Sequence, residues 1–537
     1  MQVASTGRGD KASRKFRMSS KTEDRAMERR KFLQTSTGLG ALAGLGFGHL
    51  ASFEAEAMAK PDPTPAGQDE NLEGTRQDPE SWSFHEGEID PDYKHASDAA
   101  VEAWKDRKFG MRIHWGVYSV LGFDASMPLI GADKEYHDIW FTLFQVFNPT
   151  EFSAEEWVDL AQRAGMKYFT FTTRHLDGFS MWDTKTRVTS LRRIPGGHGG
   201  NAPVGLGPTE TVSIPYSMMD TLYPKDIVAE LVNAFRKRGM GIGMYFSWPD
   251  FHDPNFKWDK RSLFYDPHFS KDSDPQAWQA MIDRITESLR ELCSNYGKID
   301  AIEFDHGMPD EAWPDTVRIV KMVRNLQPDC LLRNRGLGPY GDFSTPEHYV
   351  PPNPKDNRLG GRPWQAIEMI GKRWAYQPSD VYKPKEWFVE TLVNVCAMGG
   401  NFMPGVSAMS NGKFPKEAIE RLEYVGDWLK VNGEAIYNTR PWNIYKEGDE
   451  IRFTRTKDDK YVYATSLKWP GEGFTARSLR AKEGSRVTML GVKHDLKWQQ
   501  SKEGLVIQIP TAIAENKPCQ QAYVFKVEAQ PYQERYE

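Results

Sequence analysis

From about Lys94 to Trp442 the apolar positions follow two alternating periods. Short apolar runs at 109–117, 168–173, 242–247, 301–304 and 330–334 read as buried strands. Between them, apolar residues spaced three and four apart predict helices over 154–164, 224–238, 276–296 and 313–326, then near 386–398 and 415–431. Ser153 is placed to cap the first helix, and Pro224 sits where a first helical turn tolerates it. Strands alternating with helices over more than 300 residues predict a parallel sheet, either doubly wound or closed as a (β/α) barrel.

Beyond Trp442 the period drops to two. Segments 451–456, 461–466, 486–490, 505–509 and 522–527 are short, alternating and separated by Gly, Asp and Lys turns. They predict an antiparallel β-sandwich, whose role is either to bind carbohydrate or to pack on the preceding domain and stabilise it. The expected layout is an α/β chain: residues 60–92 as a linker or extended arm, 93–442 as the catalytic domain and 443–537 as the sandwich.

Polar residues cluster just after the strands: His114, His175, Asp250, Asp305 and Arg335. That placement favours the barrel, whose sites collect at the C-terminal strand ends. No glycine-rich phosphate fingerprint follows an early strand, which counts against a dinucleotide fold.

The N-terminal segment has a different character. Arg29-Arg30-Lys31-Phe32-Leu33-Gln34 precedes a weakly apolar stretch over 37–51, and Ala57-Met58-Ala59 offers a small-x-small cleavage site. The order resembles a bacterial twin-arginine (Tat) export signal over 1–59, with Met18 or Met27 as possible true starts. The expected destination is the periplasm or the exterior. Those 59 residues carry ten Lys and Arg against six Asp and Glu, so the formal net charge of −5 conceals a more acidic remainder. A nucleic-acid partner is disfavoured on that ground. No apolar run is long enough to span a bilayer, so no membrane insertion is expected after processing. Cys293, Cys330 and Cys396 lie in apolar contexts and read as buried thiols. Seventeen Trp and 21 Tyr suit either a large core or flat platforms for sugar rings.

Asp305 ends the strand Ala301-Ile302-Glu303-Phe304-Asp305, and period-two geometry puts Glu303 on the same face. Either carboxylate suits a nucleophile for glycosyl transfer, Glu303 alternatively being a buried ion-pair partner. A second carboxylate is needed as proton donor, and Glu347 and Glu368 are the candidates downstream. No HExxH or CxxC pattern points to a metal, and no G-x-S-x-G elbow points to a serine hydrolase.

Several separated motifs then converge. Lys108 to Ser119, KFGMRIHWGVYS, resembles the KFGIFIHWGVYS opening of the α-L-fucosidase family, glycoside hydrolase family 29. Arg174 to Asp183 resembles its KHHDGFxxWxS segment, Met244 to Ser247 its LYYS strand, and Asn295-Tyr296-Gly297 with Phe304-Asp305 its NYG…WFDG element. Asn334-Arg335, Gly399 to Gly405 and Asp427 to Tyr437 extend the match. The resemblance implies an irregular (β/α) barrel followed by a β-sandwich. It implies exo-acting, retaining release of terminal α-L-fucose from fucosylated glycans, without metal or cofactor. It assigns the nucleophile to Asp305 and sugar-hydroxyl contacts to His114, His175 and Arg335, with Trp115 and Tyr245 as neighbouring pocket residues. Family members carry the acid/base in a WE or a TPE element. Here the first reads Trp364-Gln365 while Thr345-Pro346-Glu347 is intact, so Glu347 is the expected acid/base and Glu368 the reserve.

Two positions depart from the pattern. Leu176 replaces the second histidine of KHHD, and Glu303 replaces the tryptophan of WFD. Both changes raise the expectation of a related sugar such as α-L-galactose. Residues 183–223 read as a long loop on the catalytic face, where Arg187, Arg192 and Arg193 would meet a sulfated algal glycan or simply be solvated. A non-catalytic sugar-binding protein on the same scaffold is the rival class. Oligomeric state is left open.

Overall fold

The computed structural model describes residues 89–195, 206–356 and 359–530. The export segment read over 1–59 and the arm up to residue 88 lie outside them. Helices and strands of the α/β region follow in chain order: α1 (Asp98–Arg107), β1 (Gly110–Ile113), α2 (Lys134–Trp140), α3 (Ala154–Arg163), β2 (Tyr168–Arg174), β3 (Val188–Pro195), β4 (Leu206–Ile214), α4 (Ile227–Lys237), β5 (Gly241–Ser247), α5 (Pro275–Asn295), β6 (Ala301–Asp305), α6 (Trp313–Leu326), β7 (Leu331–Leu332), β8 (Gln365–Met369), α7 (Lys385–Ala397), β9 (Asn401–Val406) and α8 (Lys416–Asn432).

Seven of these strands form one curled parallel sheet in the order β7-β6-β5-β2-β1-β9-β8. The gap between β7 and β8 is filled by the segment 342–348. Asp342 N–H donates to the Leu332 carbonyl (2.7 Å) and Asn334 N–H to that of Phe343 (2.9 Å). On the other side, Gln365 N–H donates to Ser344 (3.0 Å) and Ile367 N–H to Pro346 (2.9 Å). The segment therefore acts as an eighth stave, held by isolated parallel bridges rather than a continuous ladder. Its neighbours are fixed by that closure, so β6, the end of β7, the 342–348 segment and β8 follow one another around the barrel.

Local sequence accounts for most boundaries. The Ser153 side chain accepts from Glu156 N–H and starts α3, and Asp274 caps α5 with Pro275 in its first turn. The helix expected from Pro224 instead begins at Ile227, because the Asp226 carboxylate accepts from Ala229 N–H and makes Asp226 the cap. The strand expected over 109–117 ends at Ile113, where the chain bends into a short 3₁₀ turn over Val117–Val120. The 183–223 loop is also corrected: β3 and β4 pair as an antiparallel hairpin from Val188↔Ile214 to Pro195↔Leu206.

After α8 come β10 (Thr439–Glu447), β11 (Ile451–Thr456), β12 (Tyr461–Ser466), β13 (Gly473–Ala476), β14 (Val487–Met489), β15 (Trp498–Ser501), β16 (Gly504–Gln508) and β17 (Tyr523–Glu528). They form antiparallel sheets in the orders β10-β11-β12-β17-β14 and β13-β16-β15. Phe474 of β13 stacks on Phe525 of β17 with centroids 4.2 Å apart, joining the two sheets through one core. The sandwich rests on α7 and α8: Arg452 donates to Asn394 (2.7 Å) and the Trp428 indole to the Gln521 carbonyl (2.9 Å). Tyr463 and Val524 join the barrel's own apolar cluster. These contacts fit the stabilising role.

Candidate active site

Three adjacent staves deliver the polar residues. Asp305 closes β6, Arg333 and Arg335 follow β7, and Glu347 lies on the closing segment. Gly336 lets the turn after Arg335 approach the turn after Asp305. Its φ is +71°, and a Cβ there would lie 2.5 Å from the His306 carbonyl oxygen. His306 and His348, each immediately after a carboxylate, also hold left-handed backbone (φ 61° and 52°), a strain that clusters at functional positions.

Arg335 joins the two acids. One of its terminal nitrogens donates to Asp305 Oδ1 at 2.7 Å and to Glu347 Oε2 at 2.9 Å. Those two lengths together cap the separation of the two oxygens at about 5.6 Å. The bound falls at the roughly 5–5.5 Å spacing of retaining glycosidases and short of the roughly 6.5–9.5 Å of inverting ones. Arg333 donates to the other Glu347 oxygen at 2.7 Å and lies 3.8 Å from Asp305. Tyr245 O–H donates to Asp305 Oδ2 at 2.5 Å.

Burial would push both acids up, but it is outweighed. His306, Arg335, Arg333 and the Tyr245 hydroxyl hold Asp305 well below the usual carboxylate range. Glu347 is lowered by Arg333 and Arg335, against burial and against the neighbouring Asp305 charge. His114 and His175 pack edge to face at 5.3 Å, and Tyr245 stacks on His175 at 5.6 Å. Burial pushes His175 down to about 3 and His114 well below its ordinary value. Both are therefore neutral hydrogen-bonding groups at neutral pH. His175 Nδ1 and two Arg335 nitrogens are buried without a partner, leaving donors and acceptors available to a polyhydroxylated ligand.

The structure brings Asp305, Glu347, Arg335, Tyr245, His114 and His175 together. It places the others elsewhere. Trp115 packs against Phe147, Phe152 and Trp157 and donates to the Met409 carbonyl (3.0 Å), so its contacts are with the barrel wall. Glu368 pairs with Lys383 at 2.8 Å, on the face of β8 opposite Gln365. Glu303 is the buried ion-pair partner: Arg112 bonds its Oε2, and Gln365 donates to its Oε1 at 2.8 Å. With both oxygens engaged and the side chain 0% exposed, Glu303 offers no accessible acceptor to a sugar. Arg187 is turned to the Thr184 and Thr186 carbonyls, and the side chains of Arg192 and Arg193 lie outside the described residues.

Four groups escaped the sequence reading. Arg333 and Arg112 stand two residues from Arg335 and His114, so strand alternation alone would have found them. His306 lies 3.4 Å from Asp305. The Trp374 ring lies 5.2 Å from His114 and 4.5 Å from His348, and comes from a loop that no local period marks.

The model of the α-L-fucosidase family matches residues 81–195 and 208–434, and that of the α-L-fucosidase C-terminal domain matches 446–528. The chain belongs to the α-L-fucosidase family. Among the relatives of this family chain, tissue α-L-fucosidase of Rattus norvegicus is 27% identical over 469 residues, covering 81% of this chain and 92% of that one. Tissue α-L-fucosidase of Homo sapiens is 28% identical, with 81% and 91% covered. Among solved structures, α-L-fucosidase isoenzyme 1 from Paenibacillus thiaminolyticus superposes with a TM-score of 0.66 at 25% identity, covering 80% of this chain and 99% of that one. A Bacteroides thetaiotaomicron α-L-fucosidase trapped as a covalent intermediate shares the fold, with a TM-score of 0.64 at 22% identity and coverages of 83% and 98%.

Proposed function

We propose that this protein is an exo-acting, retaining glycoside hydrolase that releases terminal α-L-fucose. The observation that carries the reading is the single Arg335 nitrogen bridging Asp305 and Glu347. Asp305, kept ionised by its cationic neighbours, attacks the anomeric carbon. Glu347 protonates the departing oxygen, and a fucosyl-Asp305 ester forms. Glu347, now ionised, takes a proton from water, which hydrolyses the ester with net retention.

The same geometry explains how one carboxyl group serves twice. While Asp305 is charged it pushes the Glu347 pKa up, favouring the acid form. Esterification removes that charge and leaves Arg333 and Arg335 to favour the base form. In the free enzyme the arginines prevail, so the proton on Glu347 is lost as pH rises through a pKa below the ordinary glutamate value.

Hydrolysis of aryl α-L-fucoside, followed by NMR, tests the reading. The first-formed sugar is expected to be the α-anomer, and kcat/KM to be highest on the acid side of neutrality and to fall as pH rises. Release of the β-anomer, or no turnover at any pH, would reject it. Aryl α-L-galactoside run in parallel tests the related-sugar reading. The buried, engaged Glu303 removes the added polar group, one of the two changes that suggested it, so fucoside is expected to be preferred.

We also propose export by the twin-arginine route, supported by Arg29-Arg30 and the small residues at Ala57 and Ala59. Replacing both arginines by lysine should retain the activity in the cytoplasmic fraction. Unchanged periplasmic activity would count against it.

A further inference from the structure

Beneath Asp305 runs a buried polar chain that ends on His114. Tyr168 O–H reaches Gln365 Oε1 at 3.0 Å, and Gln365 Nε2 reaches Glu303 Oε1 at 2.8 Å. Glu303 Oε2 takes the Arg112 guanidinium, and Arg112 Nε lies 3.3 Å from His114 Nδ1. Arg112 and Glu303 are both 0% exposed, whereas Asp305 and Glu347 remain partly open. The pair therefore lies behind the pocket surface.

A guanidinium has five N–H groups and no acceptor. Facing His114 Nδ1, it can only donate, so that nitrogen must carry its lone pair. We propose that Arg112, anchored by Glu303, is a positioning residue that locks His114 as the neutral Nε2–H tautomer and makes it a hydrogen-bond donor toward the sugar site.

The other groups facing His114 are consistent with this. His175, Tyr245 and Trp374 rings surround it at 5.2–5.3 Å. Burial first, then Arg112, His175 and His348, oppose a charge on its ring, against the pull of Asp305. A second imidazole proton would also meet the Arg112 N–H head-on. Arg112 further lies 4.4 Å over the Tyr245 ring, and Tyr245 donates to the nucleophile. One guanidinium thus supports both a hydroxyl-binding histidine and the residue that holds Asp305.

This chain has an ion pair where the family motifs quoted above carry Phe and Trp. Burying two charges is costly, and removing one partner would leave the other uncompensated. The pair's value here is directional: it decides which histidine nitrogen is the donor.

The inference rests on the fucosidase reading only for what His114 contacts, and its test separates the two. Long-range ¹H–¹⁵N spectra of ¹⁵N-histidine-labelled full-length protein, with His114 assigned through His114→Asn, should show the neutral Nε2–H form at pH 7. An Nδ1–H or doubly protonated ring overturns the proposal whether or not the enzyme turns over. The double variant Arg112→Met, Glu303→Gln leaves no unpaired buried charge. It should stay folded, show His114 as a mixture of the two neutral tautomers, and lose roughly 10- to 100-fold in kcat/KM on aryl α-L-fucoside. Retention of the single tautomer and of the wild-type rate would reject the assignment. Absence of wild-type hydrolysis would reject the fucosidase reading and leave the tautomer result standing.

Discussion

Replacing Asp305 by asparagine should lower kcat on aryl α-L-fucoside by at least about 10⁴-fold, because none of the other candidate carboxylates among the described residues is placed to form the glycosyl ester. The candidates are accounted for: Glu303 is held by Arg112 and Gln365, Glu368 by Lys383, and Glu347 stands on the proton-donor side of Arg335. A smaller residue sharpens the test. With Asp305→Gly, azide has room to attack from the vacated face, and the product should be the inverted β-fucosyl azide. Product NMR reads this directly. An α-azide, or substantial unaided turnover, would move the nucleophile elsewhere. The fold should survive, since removing Asp305 also removes the burial cost of its charge and leaves Arg333 and Arg335 still paired with Glu347.

Glu347→Gln should separate substrates by their leaving groups. An alkyl or sugar leaving group needs protonation, and losing the acid should cost roughly 10²- to 10⁴-fold. A dinitrophenyl group departs unaided, so the ester should form at a near-normal rate and accumulate for want of a base. Azide needs no deprotonation. It should discharge the ester from the face opposite Asp305, giving the retained α-fucosyl azide. The two variants thus predict opposite anomers from one reagent. The falling limb of the pH profile should also vanish in Glu347→Gln, because an amide does not titrate in this range. An unchanged profile and equal losses on both substrates would transfer the role to another group.

The elements that the sequence pattern predicted well are those with one clear period. α3, α5 and α6 are amphipathic and begin at recognisable caps or prolines, and β2, β5 and β6 are short apolar runs between helices. The strands that escaped, β8 and β9, are buried along their whole length, and β9 contains Pro404 and Gly405, so neither alternation nor composition marks them. The hairpin β3–β4 was hidden by its glycines and prolines. In the site, residues embedded in recognisable motifs were legible. Trp374, on an irregular loop, was not.

Sequence alone determined the barrel class, the sandwich, the nucleophile candidate at the end of β6 and the intact Thr345-Pro346-Glu347 element. These follow from local periodicity and short motifs, which the chain carries without folding. Only the tertiary structure decided that Glu347 rather than Glu368 shares an arginine with Asp305, and that Glu303 belongs to Arg112. Those partnerships depend on which staves adjoin. That adjacency is set by a closing segment, 342–348, with no strand period of its own and held by bonds to residues on both sides. A charge read along a sequence has no partner until the barrel closes, and closure is what turns Asp305, Arg333, Arg335 and Glu347, from three staves, into one site.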